Sequence, residues 1–228
     1  MTGSLSMPLD TFTAIQTRRS IKQFKDDPIP ADMLRQLIEL TVAAPSSYNL
    51  QDWRIVLVQS VEQKQALAEA AFGQPQVLQA PVTFVFAANA QAWKDEGILG
   101  QIYQTGLESG AWPQKTVDYF KMAIPQFQEN LGPKTREYAL KDAMIAATHT
   151  ALAAQAMGLS SCFMNGWQED KVKAVIGAAD QPEICIALLL PVGYAAEPRK
   201  DPGRLPLSTN VFVDRLGNSF GGSADATA

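Results

Sequence analysis

The chain has 228 residues, 46% hydrophobic and 18% charged, with a formal net charge of −4 and a pI near 5.1. Such an acidic chain argues against a broad nucleic-acid surface, since a phosphate backbone needs a clustered basic face. No apolar run reaches the roughly 18 residues needed to span a bilayer, and "MTGSLSMPLD" has no basic start leading into an apolar segment, so the reading is a cytoplasmic protein without a secretory signal.

"DTFTAIQTRR" predicts a short helix with Asp10 as its N-cap and Phe12 and Ile15 on one face. It delivers Arg18 and Arg19 at its end, followed by Ser20 and Lys22. "DDPIP" breaks the chain. Residues 31–43 read as a second helix with Met33, Leu34, Leu37, Ile38 and Thr41 on one stripe, stopped by Pro45. Then comes "PSSYNLQ", a loop of short hydrogen-bonding side chains with no charge before Asp52. "WRIVLVQS" (53–60) is a strand, "VEQKQALAEAA" a helix, and "PVTFVFAA" (81–88) a strand apolar throughout, hence central. Residues 91–137 carry Trp93, Tyr103, Trp112, Tyr119, Phe120 and Phe127 with weak periodicity, and read as a helical excursion from the core.

Residues 140–159 give a buried helix, alanine-rich and apolar nearly all round, with Gly158 at its C-terminal cap. "SSCFMNGW" reads as a third strand running into a turn at Asn165-Gly166. "QEDKVKAVIG" is a helix and residues 183–194 a fourth strand. The Pro-rich tail from Ala195 contains "PGRLP" and ends in "GGSADATA", expected to be disordered, as are residues 1–8. Elements alternate with no repeat and no linker, so one α/β-type domain over 1–228 is the economical reading.

The chemistry of the side chains narrows the function. Cys162 and Cys185 lie in apolar runs without metal-ligand spacing, and read as buried free thiols. The single histidine, His149, falls within the buried helix and reads as a packed core residue. There is no basis for a Ser-His-Asp set or a zinc site, and neither GxGxxG nor GxxxxGK[ST] occurs. An enzyme so poor in acid-base and nucleophilic groups must place its chemistry on a bound cofactor. Arg18, Arg19, Ser20, Lys22 and Arg204 suit a phosphate, because guanidinium forks match its oxygens bidentately; a solvated helix edge is the alternative for the arginine pair. Pro45, Ser46, Ser47, Asn49 and Gln51 suit the edge of a planar polar heterocycle, or are simply a capping and turn loop.

"RRSIKQF" followed by "PSSYNLQDW", then "AMGLSSCFMNGW" and finally "GRLPL" resemble the motifs of the flavin-dependent nitroreductase family, over about residues 12–216. The resemblance implies an α+β fold with a central mixed sheet wrapped by helices. It implies a homodimer with two FMN molecules at the subunit interface, an interface that would account for the apolar helix at 140–159. It implies that Arg18 and Ser20 contact the FMN phosphate and ribityl chain, with Arg19 at the phosphate or ring and Lys22 where negative charge grows on reduction. Pro45, Ser46, Ser47 and Asn49 would come from the second subunit. Asn165 and Gly166 would lie against the flavin, Arg204 would complete the phosphate clamp, and Gln74 and Gln76 would meet the ring edge or substrate. Trp112, Tyr119, Phe120 and Phe127 are candidates for an apolar ceiling, or for plain packing. Three positions depart from the family pattern. Asp52 stands where many relatives have proline, Asn165 where some have an acid, and Pro202 where some have a lysine that Lys200 or Arg199 would replace.

The activity implied is hydride transfer from NADH or NADPH, through the flavin, to a nitroaromatic, quinone or similar electron-poor small molecule in ping-pong order. A flavin-storing or redox-sensing module without turnover is the alternative, and a non-flavin α/β protein a third. No nucleic acid and no membrane is expected as a partner.

Overall fold

The computed structural model describes residues 8–221. The disorder expected for the two ends falls almost wholly outside these residues. The chain divides into two compact units, Met1–Pro198 and Arg199–Ala228.

Among the described residues the first unit is built on four strands, β1 (Trp53–Val58), β2 (Val82–Asn89), β3 (Ser160–Ser161) and β4 (Ile184–Gly193), in the spatial order β1-β2-β4-β3. All named pairs are antiparallel, and parallel pairing enters through one isolated bridge, Ser20 to Ser161. The architecture is therefore α+β, which corrects the α/β reading drawn from simple alternation. Alternation in sequence cannot distinguish parallel strands joined by crossovers from antiparallel strands whose connections happen to be helical.

Strand β2 reads as continuously apolar because both its faces are covered. Phe84, Phe86 and Ala88 pack toward α2 (Ala31–Val42) and α7 (Thr135–Ala156), with Trp53, Leu188 and Leu190 beside them. Val85 and Ala87 point the other way, with Ile186 and Leu189, toward α3 (Val61–Ala70) and α8 (Glu169–Val175). The β2–β4 register slips between Phe86 and Ala87, which pair with Leu188 and Ile186 and leave Ala187 as the extra residue of a bulge. Nearby, the Ile186 amide donates to Glu169 Oε1 at 2.8 Å, and Glu169 also accepts both 2.8 Å bonds from Arg136. One carboxylate thus ties α8, α7 and the bulge together.

Helix α7 begins five residues before the predicted start and carries the alanine face. Ala139, Ala143, Ala146, Ala147, Ala151 and Ala154 are all buried in the core over the sheet. Its apolar character is consumed within its own chain, so the expected subunit interface is not needed to account for it. Thr41 and Thr150 close the α2–α7 contact with a buried 2.7 Å hydroxyl pair. Gly158 follows at φ 82°, the left-handed cap that turns the chain toward β3. β3 is only two residues long, because beyond it the pairing shrinks to a Met164–Leu189 bridge. His149 is half-buried. Both cysteines are free and buried.

Helix α1 (Thr11–Thr17) has the predicted cap, Asp10 accepting from the Thr13 amide at 3.1 Å. Its Phe12 and Ile15 point outward, 80% and 55% exposed, while Ala14 is the buried residue. The excursion contains α5 (Glu96–Glu108) and α6 (Gln114–Leu131), and α4 (Pro75–Gln79) precedes β2. Trp112 seats directly on Gly106 of α5: a Cβ at that position would lie 2.1 Å from the indole ring. Trp112 in turn meets Phe120 edge-on at 5.2 Å. The second unit contains α9 (Leu207–Asn210) and a Phe212–Ser219 bridge.

Gly106→Ala is expected to destabilise the fold by about 1–3 kcal/mol, the usual cost of overpacking. A melting temperature equal to that of the parent protein would show that the indole is free to move.

Candidate functional site

The basic segment after α1 runs along the end of the sheet. The Ser20 bridge to Ser161 is reinforced by the Ile21 amide, which donates to the Ser161 carbonyl at 3.0 Å. The Arg18 guanidinium lies 5.6 Å from the Phe163 ring centre, a cation–π geometry. Arg19 donates to the Gln16 and Arg18 carbonyls at 2.6 and 2.8 Å, and Lys22 is exposed. The chain continues beside β4, where Lys25 donates to the Tyr194 carbonyl and the Phe24 amide to Gln79 Oε1. Two motifs far apart in sequence, "RRSIKQF" and "SSCFMNGW", are therefore neighbours.

Asn165 and Gly166 follow Met164 without a turn hydrogen bond of their own. The Gly166 carbonyl is taken instead by Gln74 Nε2 at 2.9 Å, and the same amide group donates to the Ala71 carbonyl at 3.1 Å. Gln76, buried at 3% exposure, donates to Gln74 Oε1 at 3.0 Å. The two glutamines thus brace the Gly166 backbone. Phe72 escaped the sequence reading: it is 64% exposed, adopts φ 58°, and comes within 3.8 Å of the position a Gly166 Cβ would take. A non-glycine aromatic in the left-handed region is uncommon, and nothing in local sequence pattern announces it.

The second group of candidates is the loop between α2 and β1. Tyr48, Asn49 and Gln51 all have left-handed backbones, at φ 52°, 55° and 49°. Asparagine tolerates that region; the others store strain, on the order of 1–3 kcal/mol each. The loop persists because it is pinned at several points. Ser46 Oγ accepts from the Gln51 amide at 2.9 Å, the Asn49 amide donates to the Ser46 carbonyl at 3.0 Å, and Leu50 is buried. Tyr48 packs edge-on against Phe120 and Phe127, at 5.4 and 5.9 Å. The aromatic residues of the excursion therefore buttress this loop, while Tyr119 remains 54% exposed. A cavity of about 450 Å³ opens beside the loop, lined by Asn49, Gln51, Arg54, Gln101 and Thr105 among others.

Beneath the loop lie two buried carboxyls that the sequence reading did not single out as a pair. Asp142 on α7 accepts the Ser47 amide at 3.2 Å. Asp52 is 3% exposed and Asp142 4%. Burial, then the neighbouring Asp142, pushes the Asp52 carboxyl up to about 7. Burial also raises Asp142, to about 6, against the pull of the Ser47 amide. Asp52 is thus more than a missing proline.

In the second unit Arg204 donates to the Gly203 carbonyl at 2.7 Å and pairs with Asp201 at 3.3 Å, while Gly203 turns at φ 85°. Among the described residues, no group of three or more His, Cys, Asp or Glu is placed to hold a metal ion, and no helix is long and apolar enough to cross a membrane. The donor set instead fits a phosphorylated planar cofactor: cations and a hydroxyl on one segment, a neutral polar loop on another.

The sequence profile of the Nitroreductase family matches residues 15–194. A Thermus thermophilus protein named NADH dehydrogenase is 34% identical over 205 residues, 90% of this chain and 96% of that one. An Exiguobacterium sibiricum protein solved in complex with FMN is 26% identical with a TM-score of 0.81, covering 90% and 98% of the two chains. The NfrA1 nitroreductase of Bacillus subtilis is also 26% identical, with a TM-score of 0.68 over 95% of this chain and 77% of that one.

Because both carboxyls are shifted upward on folding, the folded chain holds more protons than the unfolded chain between about pH 4 and 7. Their burial is therefore least costly below that window, and its cost grows as pH rises through it. Asp52→Asn is expected to exceed the parent protein by about 1–2 kcal/mol at pH 5 and by about 4 kcal/mol at pH 8.5, at about 1.4 kcal/mol per pKa unit. Denaturant unfolding at the two pH values measures this; a constant difference would mean that Asp52 does not titrate in the folded chain.

Proposed function

The chain belongs to the nitroreductase family, and on that premise we propose that it is an FMN-dependent NAD(P)H oxidoreductase that reduces nitroaromatics, quinones or similar electron-poor acceptors in ping-pong order. Bound FMN supplies the redox chemistry, accepting hydride from NADH or NADPH and passing electrons to the acceptor. The protein's part is binding, orientation and electrostatics.

The observation that carries this reading is the junction at the sheet end. There the Ser20–Ser161 bridge and the Arg18–Phe163 contact join the basic segment to the stretch that leads into Asn165 and Gly166, which supports the reading. In this reading Arg18, Arg19 and Ser20 hold the phosphate and ribityl chain. Lys22 stands where negative charge develops, a cation whose attraction grows with that charge. Asn165 and Gly166 line the ring, with Gln74 and Gln76 keeping the Gly166 backbone in place. Arg204 enters on its sequence motif alone, as a further phosphate ligand.

Pro45, Ser46, Ser47 and Asn49 are assigned to the ring of a second copy's flavin, in a homodimer. Support for a second copy comes from α1, whose exposed Phe12 and Ile15 offer apolar surface. Support for the loop comes from its pinned, left-handed backbone, a form of preorganisation common at binding sites. Protons come from solvent, since the site supplies no histidine.

The purified protein is expected to be yellow, to bleach on addition of NADH or NADPH, and to recover colour with a nitroaromatic or quinone. A flavin that binds but does not bleach would favour a storage or sensing role, and a chain that takes up no FMN would end this reading. Arg18→Ala with Arg204→Ala is expected to weaken FMN binding at least tenfold, and unchanged affinity would remove the phosphate assignment. Ser47→Trp is expected to block flavin loading in a folded protein; full loading would place the loop elsewhere.

A further inference from the structure

We propose that Asp52 and Asp142 are positioning residues: one shared proton lets them hold the Pro45–Asn49 loop, and loss of that proton loosens the loop and weakens flavin binding. This deepens the reading above and rests on its assignment of the loop to the flavin.

Four observations converge on the pair. Both carboxyls are buried, though they come from different elements, the approach to β1 and the middle of α7. Asp142 has a use for its charge, since Oδ2 accepts the Ser47 amide. Asp52 is served less well: its Oδ1 is enclosed and lacks a hydrogen-bond partner, and the amide that favours its ionised form is its own. The Tyr138 hydroxyl, on α7, is also enclosed, and it senses the Ser47 side chain of the loop first and then Asp142, Asp52 and Tyr48.

These features define which carboxyl keeps the proton. Hydrogen bonding to the ionised form favours ionisation, while burial disfavours it. Asp142, held by the Ser47 amide, is the one to ionise, and Asp52, where burial and the neighbouring Asp142 outweigh its own amide, is the one to stay neutral. The ordering of their pKa values, about 6 and about 7, agrees. In that state the loop amide is held by an anion, and no second anion opposes it. The titration belongs to the pair rather than to either residue alone.

The charged surroundings offer little relief once Asp52 ionises. Arg54 of β1 is the cation acting on it, but Arg54 Nη1 donates to the Gln51 and Trp53 carbonyls at 3.2 and 2.8 Å. Tyr138 of α7 is pushed up by burial first and then by these carboxyls, so it remains a neutral phenol. Tyr48 of the loop is the other titratable neighbour of that phenol. Two buried anions sharing a site raise each other's energy, and the weakest element nearby gives way. That element is the loop. Gln51, at φ 49°, is the residue immediately before Asp52, so movement of Asp52 passes directly into a strained backbone.

The test is hydrogen exchange of the full-length protein, with and without added FMN, from pH 6.5 to 8.5 and corrected for intrinsic rates. Peptides covering residues 44–52 of the parent protein are expected to exchange at least tenfold faster at pH 8.5, while β2 stays protected. Asp52→Asn is expected to hold protection at both pH values, and Asp142→Asn to lose it at both. FMN affinity, read by fluorescence quenching, is expected to fall about tenfold for the parent protein relative to Asp52→Asn over the same range. Exchange independent of pH in the parent protein, or unchanged by Asp52→Asn, overturns the pair. Should Asp142→Asn fail to fold, the parent protein and Asp52→Asn alone decide. A loop that responds while FMN affinity does not overturns the link to the flavin. A protein that binds no FMN at any pH overturns the cofactor reading, and the exchange data still judge the pair by themselves.

Discussion

The alanine face of α7 lies against the central strands, and the rest of the first unit is arranged around that contact. The fully buried residues of α7 are six alanines with Asp142 and Thr150 among them, and the longer Leu140 and Met144 pack at the edge of the core. Methyl-sized side chains let a helix backbone approach a sheet closely, and Phe84, Phe86, Leu188 and Leu190 fill the space from the other side. The rotation of α7 about its axis is then set, because any other face would bring larger side chains into the same gap. Arg136 reaches Glu169 and the bulge in β4, Asp142 reaches the loop before β1, and Gly158 sends the chain into β3. One helix thus sets both groups of candidate site residues.

Those two groups are held in different ways. The Arg18–Ser20 segment and the Asn165–Gly166 segment owe their positions to backbone pairing at a sheet end and to a glutamine chain. These are neutral hydrogen bonds, insensitive to pH. The Pro45–Asn49 loop depends on a buried carboxylate and on aromatic packing against Phe120 and Phe127. Its geometry is strained and its anchor is ionisable. On the proposed assignment the site joins one rigid part to one responsive part, and local opening of the second costs less than global unfolding.

Much of this was legible in the sequence, and the reason is locality. Periodicity located the helices and strands to within a few residues, as for α2, α3, β2 and β4, because their burial pattern repeats along the chain. Asp10 and Gly158 announced their caps through short-range hydrogen bonding and backbone freedom. The motifs carrying Arg18, Ser20, Ser47, Asn49 and Gly166 were singled out as candidates from residue chemistry and resemblance, since donors suited to a phosphate and to a planar ring are recognisable by type.

What the sequence could not supply were relations between distant residues. Ser47 and Asp142 are 95 positions apart and Gln74 and Gly166 are 92 apart, and no local pattern encodes either bond. The same limit explains why Asp52 read as a lost proline and why Phe12 and Ile15 gave no hint that they face outward. Secondary structure follows from interactions within a few residues, so composition and spacing determined it. Strand direction, the partner of each buried polar group and the upward shift of two buried carboxyls depend on which surfaces meet after collapse, and only tertiary packing decided those.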